Sequence, residues 1–175
     1  MSIGLLILRL VVGLALAGHG TQKLFGWFGG YGLTGTAGFL EQLGFVPGRR
    51  NALFAGLAET GGGLLLALGL ATPIAAAMIV AVMVVAAVSV HLKHGFFVHN
   101  QGYEYALVLA TVAVTIAFAG PGPVSLDALL GLHDAGYGWG LGALAFGLGG
   151  GALQLANRRV AAPQKDVGPS NRSDP

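Results

Sequence analysis

Long apolar stretches alternate along the chain with short polar or glycine-rich connections. Five of these stretches are apolar enough to predict helices that cross a lipid bilayer, for which about 20 residues are needed. They cover residues 3–24, 51–70, 73–92, 103–119 and 138–156. Proline opens the third stretch and "GPGP" follows the fourth, and proline is tolerated at a helix start but breaks a helix elsewhere. The pattern therefore predicts an all-α integral membrane protein.

A shorter segment, residues 34–46, lies between the first two predicted spans. Its apolar residues share one face of a helix, whereas its polar residues lie off that face. The apolar set comprises Phe39, Leu40, Leu43 and Val46. About ten residues are too few to cross a bilayer, so we predict a short interfacial helix; an ordered loop is the alternative.

Composition excludes a soluble fold. Only 9% of the residues are charged and 54% are hydrophobic, whereas a soluble domain has roughly 25% charged residues. A small soluble domain leaves about a third of its surface in water, which this chain could not cover with polar groups. Basic and aromatic residues are not interleaved in a stripe that could follow phosphates, so we predict no nucleic-acid partner.

The chain has no cysteine. It therefore cannot form a disulfide, a thiol relay, a covalent haem attachment or an iron–sulfur cluster of its own, and any thiol chemistry would belong to a partner. No basic residue precedes the first apolar stretch, and Arg9 lies within it. This is the reverse of the charge layout in a signal peptide, so we predict that the first stretch is a retained span.

Basic residues predict the orientation. With five spans and the N-terminus outside, eight of the nine lysines and arginines lie in cytoplasmic segments: Lys23, Arg49, Arg50, Lys93, Arg158, Arg159, Lys165 and Arg172. The outer loops then carry only Asp127 and Asp134, as the positive-inside rule requires. The expected division is a four-span bundle over 1–131, an outer loop and fifth span over 132–157, and a disordered basic cytoplasmic tail over 158–175.

Two charged residues lie deep within predicted spans. Arg9 is about five residues inside the first span and Glu59 is near the middle of the second. A charge in hydrocarbon costs at least about 2.5–3.5 kcal/mol, so such residues are expected to face the bundle interior and to pair. We predict that Glu59 is the counter-ion of Arg9. The pair either lines a polar cavity for a ligand or a proton, or only fixes the packing of the two helices.

A second polar group gathers at the predicted cytoplasmic ends of the spans. It comprises His19, Lys23, His91, His94, His99 and Glu104. The i, i+3 spacing of His91 and His94 makes them weak candidates for a metal site, and hydrated interfacial histidines are the favoured interpretation. Glu104 needs a partner, and His19 or His91 could pair with it to form a proton relay or to contact a quinone headgroup.

Glycines provide close approaches between helices. Gly61–Gly63 follow Glu59 and would let a second backbone, or a flat ring, approach that carboxylate. In the fifth span, the pairs Gly138/Gly142 and Gly147/Gly151 have the spacing of small residues at helix–helix contacts. They indicate a packing face toward the bundle or toward another copy of the chain.

These motifs resemble the DoxX family of small bacterial membrane proteins, which is related to the small subunit of thiosulfate:quinone oxidoreductase and to the methylamine-utilisation protein MauE. The similar stretches are "LRLVVGLALAGHGTQKLFG", "GLAETGGGLLLALGL", "HGFF", "GYEYALVLA" and "GPGPVSLD", in that order over residues 5–130. The resemblance implies a four-helix core, a bacterial inner membrane and a redox-associated role beside a soluble partner. It also implies that Arg9, His19, Lys23, Glu59 and Glu104 are the polar positions of the family pattern. The fifth span and basic tail depart from that pattern.

The sequence as a whole predicts a DoxX-type four-helix transmembrane bundle with a fifth C-terminal span and a short interfacial helix. The leading functional hypothesis is a redox-associated subunit that binds a quinone or similar lipophilic ligand near Glu59 and Glu104. A cytoplasmic oxidoreductase would supply the electrons. The alternatives are a non-catalytic scaffold or anchor and a small transporter or proton pathway.

Overall fold

The computed structural model describes residues 2–132 and 135–159. Its α-helices are α1 (Ser2–Phe25), α2 (Gly32–Gln42), α3 (Gly48–Leu68), α4 (Thr72–Ala86), α5 (Glu104–Ala119), α6 (Leu126–Leu129) and α7 (Tyr137–Ala156). The described part of the chain contains helices and no strand, which confirms the all-α membrane class. Asp134 and the tail from residue 160 onward lie outside the described residues.

Four helical segments are long and apolar enough to cross a membrane: Ile3–Phe25, Gly48–Leu68, Thr72–His94 and Tyr137–Ala156. Helix α5 is shorter, at 16 residues, or about 24 Å at 1.5 Å per residue. Each predicted span begins and ends within three residues of the first and last residues of the corresponding observed helical segment. Hydropathy locates these helices well because the bilayer interior requires a continuous apolar stretch with internally bonded backbone.

Helix α7 runs parallel to α4. A Cβ atom on Gly147 would lie 2.5 Å from Cβ of Val80, and one on Gly151 would lie 2.9 Å from Cβ of Val84, so residue numbers increase together along the contact. The chain must therefore return across the bundle between α4 and α7, and α5 is the helix available for this passage. Five helices thus traverse the bundle in alternating directions, despite the short length of α5.

Glycines bring α1 and α3 close together in an antiparallel pair. A Cβ atom on Gly13 would lie 2.5 Å from the carbonyl oxygen of Gly63, and one on Gly20 would lie 2.6 Å from that of Gly56. The contact fixes the register of the two helices, because neither can slide without a backbone clash. Residues near 20 on α1 are level with the first half of α3, and residues near 10 are level with its end.

The predicted interfacial helix is present as α2. It begins two residues earlier than expected, ends at Gln42 and packs against α1 and α3. Thr36 is its buried residue, and the Thr36 hydroxyl donates to the carbonyl of Lys23 at 3.4 Å. Phe39 is half exposed. The helix therefore lies against the end of α1 on the side where the second polar group was predicted.

The glycine pairs of α7 have different environments. Gly147 and Gly151 face α4, as the packing hypothesis requires, whereas a Cβ atom on Gly138 or Gly142 would meet no described atom within 4 Å. A homo-oligomer in which the second pair contacts another copy stays a prediction.

Arg158 and Arg159, predicted to begin the disordered tail, are instead docked on the segment between α2 and α3. Nε of Arg158 donates to the carbonyl of Leu43, and the guanidinium carbon lies 5.9 Å from the ring centroid of Phe45. The backbone N–H of Arg159 donates to the carbonyl of Gly44 at 2.8 Å. The hydrogen bonds available at this turn hold the two residues in place, which their polarity alone did not indicate.

Candidate functional site

A cavity of about 300 Å³ lies between α1, α3, α5 and the end of α4. Four of the six predicted site residues line it: His19, Lys23, Glu59 and His91. The other lining residues are Leu16, Met83, Ala86, Val98, Gln101, Gly102, Tyr105, Ala106 and Leu109. The cavity therefore combines apolar walls with a polar end, at the same end of the bundle as the docked Arg158.

The charged pair of the cavity consists of Lys23 and Glu59. Nζ of Lys23 lies 2.5 Å from Oε2 of Glu59, and the Glu59 side chain is 5% exposed, whereas that of Lys23 is 32% exposed. The prediction that Glu59 is the counter-ion of Arg9 is therefore wrong. The register of α1 on α3 explains why, since residues near 20 rather than near 10 lie level with Glu59.

Arg9 is buried at the opposite end of the bundle. Its Nη1 donates to the carbonyl of Pro121 at 2.6 Å and its Nη2 donates to that of Val124 at 2.5 Å. Gly69 ends α3 in the left-handed conformation, and a Cβ atom there would lie 2.1 Å from Nη1 of Arg9. Glycine at this position therefore serves both the turn and the close approach of the guanidinium. Arg9 holds the loop after α5 against α1 and does not line the cavity.

Asp127 is the acidic residue whose charge interacts with Arg9. It is fully buried, and its carboxylate accepts hydrogen bonds from the backbone N–H groups of Ala71 and Thr72 and from the Thr72 hydroxyl, at 2.7, 3.1 and 2.7 Å. A negatively charged carboxylate at the start of α4 also interacts favourably with the positive end of the helix dipole. The sequence predicted only that Asp127 lies in an outer loop. The available signal was its position in "GPGPVSLD", one of the stretches that resembled the family.

The two histidines of the cavity each engage Nδ1. Nδ1 of His91 lies 2.6 Å from the carbonyl oxygen of Gln101, which can only accept, so this nitrogen carries a hydrogen. Nδ1 of His19 lies 3.1 Å from Oε1 of Gln22, whose Nε2 donates to the carbonyl of Phe28. Both rings therefore leave Nε2 as the nitrogen that can accept from, or when protonated donate to, a ligand.

The end of α4 departs from regular α-helical geometry where it reaches the cavity. Residues Ala87–His91 form a π-helical turn, in which the N–H of Leu92 donates to the carbonyl of Ala87. The Ser89 hydroxyl, bonded to the carbonyl of Val85 at 2.5 Å, accompanies the turn. An extra residue in a helical turn changes the direction of the side chains that follow, and such turns are frequent at functional sites. His91 is the cavity residue at this turn.

Glu104 is not part of the cavity lining. Its Oε2 accepts from the backbone N–H of Val98 at 2.9 Å, and it begins α5. Since Val98 and Gln101 line the cavity, Glu104 holds the segment between α4 and α5 that forms one wall. The expected pairing of Glu104 with His19 or His91 is replaced by this bond to the backbone.

Tyr105, the neighbour of Glu104 in "GYEYALVLA", is a lining residue that sequence reasoning missed. Its ring lies edge-on to that of His19, with centroids 6.0 Å apart. The quoted motif was the available signal, but the choice between two adjacent residues depends on the direction of α5. His94 is exposed and does not line the cavity. Within residues 2–132 and 135–159, no three histidine or acidic side chains form a group that could hold a metal ion.

A second cleft, of about 610 Å³, adjoins the first at Lys23. It lies between the end of α1 and α2, and its lining includes Gln22, Tyr31, Phe39 and several glycines. Tyr31 is largely exposed, as are Phe25, Trp27 and Phe28 in the segment that precedes it. Exposed aromatic rings of this kind are typical of the membrane–water interface. Lys23 therefore lines both the cavity around Glu59 and this cleft.

The fold and the cavity define a multi-pass, all-α membrane protein with a polar site at one end of its bundle. The family model named DoxX matches residues 4–92, about half of the chain, and the chain belongs to the DoxX family. That match includes His19, Lys23, Glu59 and His91 and confirms the resemblance seen in the sequence. Neither a curated protein nor a solved structure matches the chain.

Proposed function

We propose that this protein is a redox-associated membrane subunit whose cavity binds the headgroup of a quinone or a similar lipophilic carbonyl compound. The cavity of about 300 Å³ carries the proposal, because it is within the range of small-molecule pockets, about 300–1,000 Å³. Apolar walls with a few convergent polar groups are the usual composition of such pockets. Leu16, Met83 and Leu109 suit a ring, and His19 and His91 suit its oxygens.

Each polar residue has a role in this proposal. A quinone accepts two electrons and two protons to become a quinol, and the electrons would come from a soluble oxidoreductase. The Nε2 atoms of His19 and His91 would donate to carbonyl oxygens when protonated. The ion pair of Lys23 and Glu59 would keep two opposite charges beside the quinone while it takes up its two protons. Entry past Lys23 from the adjoining cleft would let the ligand arrive from the membrane interface.

Quinone binding is tested with Glu59→Gln, which keeps the side-chain shape and removes the charge. We expect menaquinone or ubiquinone analogues to raise the thermal unfolding temperature of the purified wild type. We expect Glu59→Gln to weaken their binding, because the amide no longer balances the charge of the Lys23 ammonium that lines the same cavity. Extraction of the native-lipid preparation should also yield a quinone. Thermal shift across a ligand titration measures the effect.

Glu41→Gln is the matched control, because that carboxylate lies at the same end of the bundle and neither lines the cavity nor holds one of its walls. It should keep the quinone response of the wild type. A wild type without extracted quinone and without a thermal shift would refute the proposal. Proton flux into proteoliposomes would then favour the transport alternative, and an absence of flux would favour a scaffold.

We propose that the cavity end of the bundle faces the cytoplasm of a bacterial cell, where the soluble partner would dock. Lys23, Arg49, Arg50, Lys93 and Arg158 lie at or beyond the helix ends on this side. Leu129, in the short helix α6, lies at the opposite end near Asp127.

Orientation is measurable because the chain has no native cysteine. We expect Leu129→Cys, at a side chain that is 80% exposed, to react with a membrane-impermeant maleimide in cells in which the outer membrane is permeabilised and the inner membrane is intact. Arg159→Cys should react only after the inner membrane is opened. The reverse pattern would place the cavity on the outer side and exclude a cytoplasmic partner at this end.

A further inference from the structure

An apolar groove of about 150 Å³ lies between α3, α4 and α7, and it shares no residue with the cavity around Glu59. Its lining comprises Leu40, Phe45, Asn51, Phe54, Ala55, Ala58, Ala81, Val82, Val85, Gly150 and Gln154. Several lining residues are small, since they include three alanines and Gly150. A slot of this kind accepts an unbranched hydrocarbon chain better than a bulky ring.

The polar residues of the groove are bonded to one another. Nε2 of Gln154 donates to Oδ1 of Asn51 at 2.8 Å, and Nδ2 of Asn51 donates to the carbonyl of Pro47 at 2.9 Å. These bonds satisfy the groove's amide groups and join the end of α7 to the start of α3. The remaining surface is apolar, so the groove offers little to a polar solute.

Arginines lie at the end of the groove where α3 begins and α7 ends. The guanidinium of Arg158 is held over the ring of Phe45, a lining residue, and its Nε donates to the carbonyl of Leu43. Arg50 precedes Phe54 by four residues, so it lies one turn closer to the helix start on the same face of α3. A phosphate at this position would meet two guanidinium groups and the start of a helix.

Among residues 2–132 and 135–159, the carboxylate beside this end is that of Glu41. Its Oε1 accepts from the backbone N–H of Gly48 at 2.9 Å, at the first residue of α3. Arg49 and Arg159 are exposed nearby. The described residues around the groove's end thus carry four guanidinium groups and one carboxylate, so an excess of positive charge remains for an anion.

We propose that this groove binds an anionic phospholipid, with an acyl chain in the slot and the phosphate on Arg158 and Arg50. A fixed guanidinium directly beside an apolar slot matches the two parts of such a lipid. Basic pockets between membrane helices are known to bind anionic headgroups in this way. The site is separate from the quinone proposal and does not depend on it.

Native mass spectrometry of the full-length protein tests the proposal with phosphatidylglycerol and phosphatidylcholine of identical acyl chains. We expect the wild type to retain phosphatidylglycerol at least about fivefold better, since each arginine near an anionic headgroup contributes about fivefold in affinity. Arg50→Gln with Arg158→Gln should abolish the preference. Gly150→Leu should abolish retention of both lipids at this site, because its side chain fills the slot. A Cβ atom at Gly150 lies 3.6 Å from that of Ala81, so the backbone tolerates the change.

Lys93→Gln removes one charge from the same end of the bundle, away from the groove, and should leave the preference unchanged. If the double arginine variant folds poorly, Arg158→Lys replaces it in the experiment. This variant should retain a reduced preference for phosphatidylglycerol. Equal retention of the two lipids by the wild type would overturn the proposal. A preference that survives both Gly150→Leu and the double arginine variant would also overturn it, by showing a general surface attraction. Competition by inorganic phosphate alone would contradict a lipid site.

Discussion

Asp127→Ala is expected to lower the free energy of unfolding by about 3–5 kcal/mol, because three donors lose their acceptor and each buried polar group left without a partner costs about 1–3 kcal/mol. The substitution leaves the backbone N–H groups of Ala71 and Thr72 without their acceptor. It also removes the negative charge that interacts with Arg9, whose guanidinium is buried. Unfolding of the purified protein in mixed detergent micelles, by titration with a denaturing detergent, measures the loss.

Two further variants separate the contributions of Asp127. Asp127→Asn keeps one acceptor oxygen but no charge and should have an intermediate effect. Thr72→Ser keeps the hydroxyl that donates to Asp127 and should change stability by less than about 1 kcal/mol. If Asp127→Ala unfolds at the same detergent fraction as the wild type, the proposed role of this residue in holding the loop is refuted.

A double-mutant cycle should show strong coupling between Lys23 and Glu59. Glu59→Leu alone is expected to cost about 3 kcal/mol, at the lower end for a buried pair because Lys23 is partly exposed. Adding Lys23→Met should recover part of this loss, because no unpaired charge then faces the cavity. We expect a coupling energy of about 1–2 kcal/mol, measured with the same unfolding titration.

The matched cycle between Arg9 and Glu59 should show no coupling. Arg9→Leu and Glu59→Leu affect opposite ends of the bundle, and distant substitutions add to within about 0.3–0.5 kcal/mol. The sequence alone predicted the opposite result. Strong coupling between Arg9 and Glu59, together with weak coupling between Lys23 and Glu59, would contradict the register of α1 on α3.

The two groups of charged residues have different roles in the bundle. Arg9 holds the loop after α5 against α1, and Asp127 bonds to the turn between α3 and α4. Lys23 and Glu59 line a cavity with His19 and His91. The second group adjoins a cavity that a ligand could occupy. A loss of ligand binding with retained stability is therefore expected from the cavity residues and not from Arg9 or Asp127.

The site could be predicted in part. His19, Lys23, Glu59 and His91 were recognisable because polar side chains in apolar helices are costly and must be grouped. The choice between Glu104 and Tyr105 could not be made, because one residue along a helix changes the direction of a side chain by about 100°. The π-helical turn before His91 was equally invisible, since no residue type encodes it uniquely.

The sequence by itself determined the positions of the apolar helices, their order and the residues that needed polar partners, because a bilayer tolerates only apolar, internally bonded segments. Tertiary structure alone decided which partners these residues have. Glycine contacts between α1 and α3 set their register, and that register places Lys23 rather than Arg9 beside Glu59. The folded loop carries Asp127 back to Arg9, across more than a hundred residues of chain. Such pairings depend on distances in space, which hydropathy along the chain does not contain.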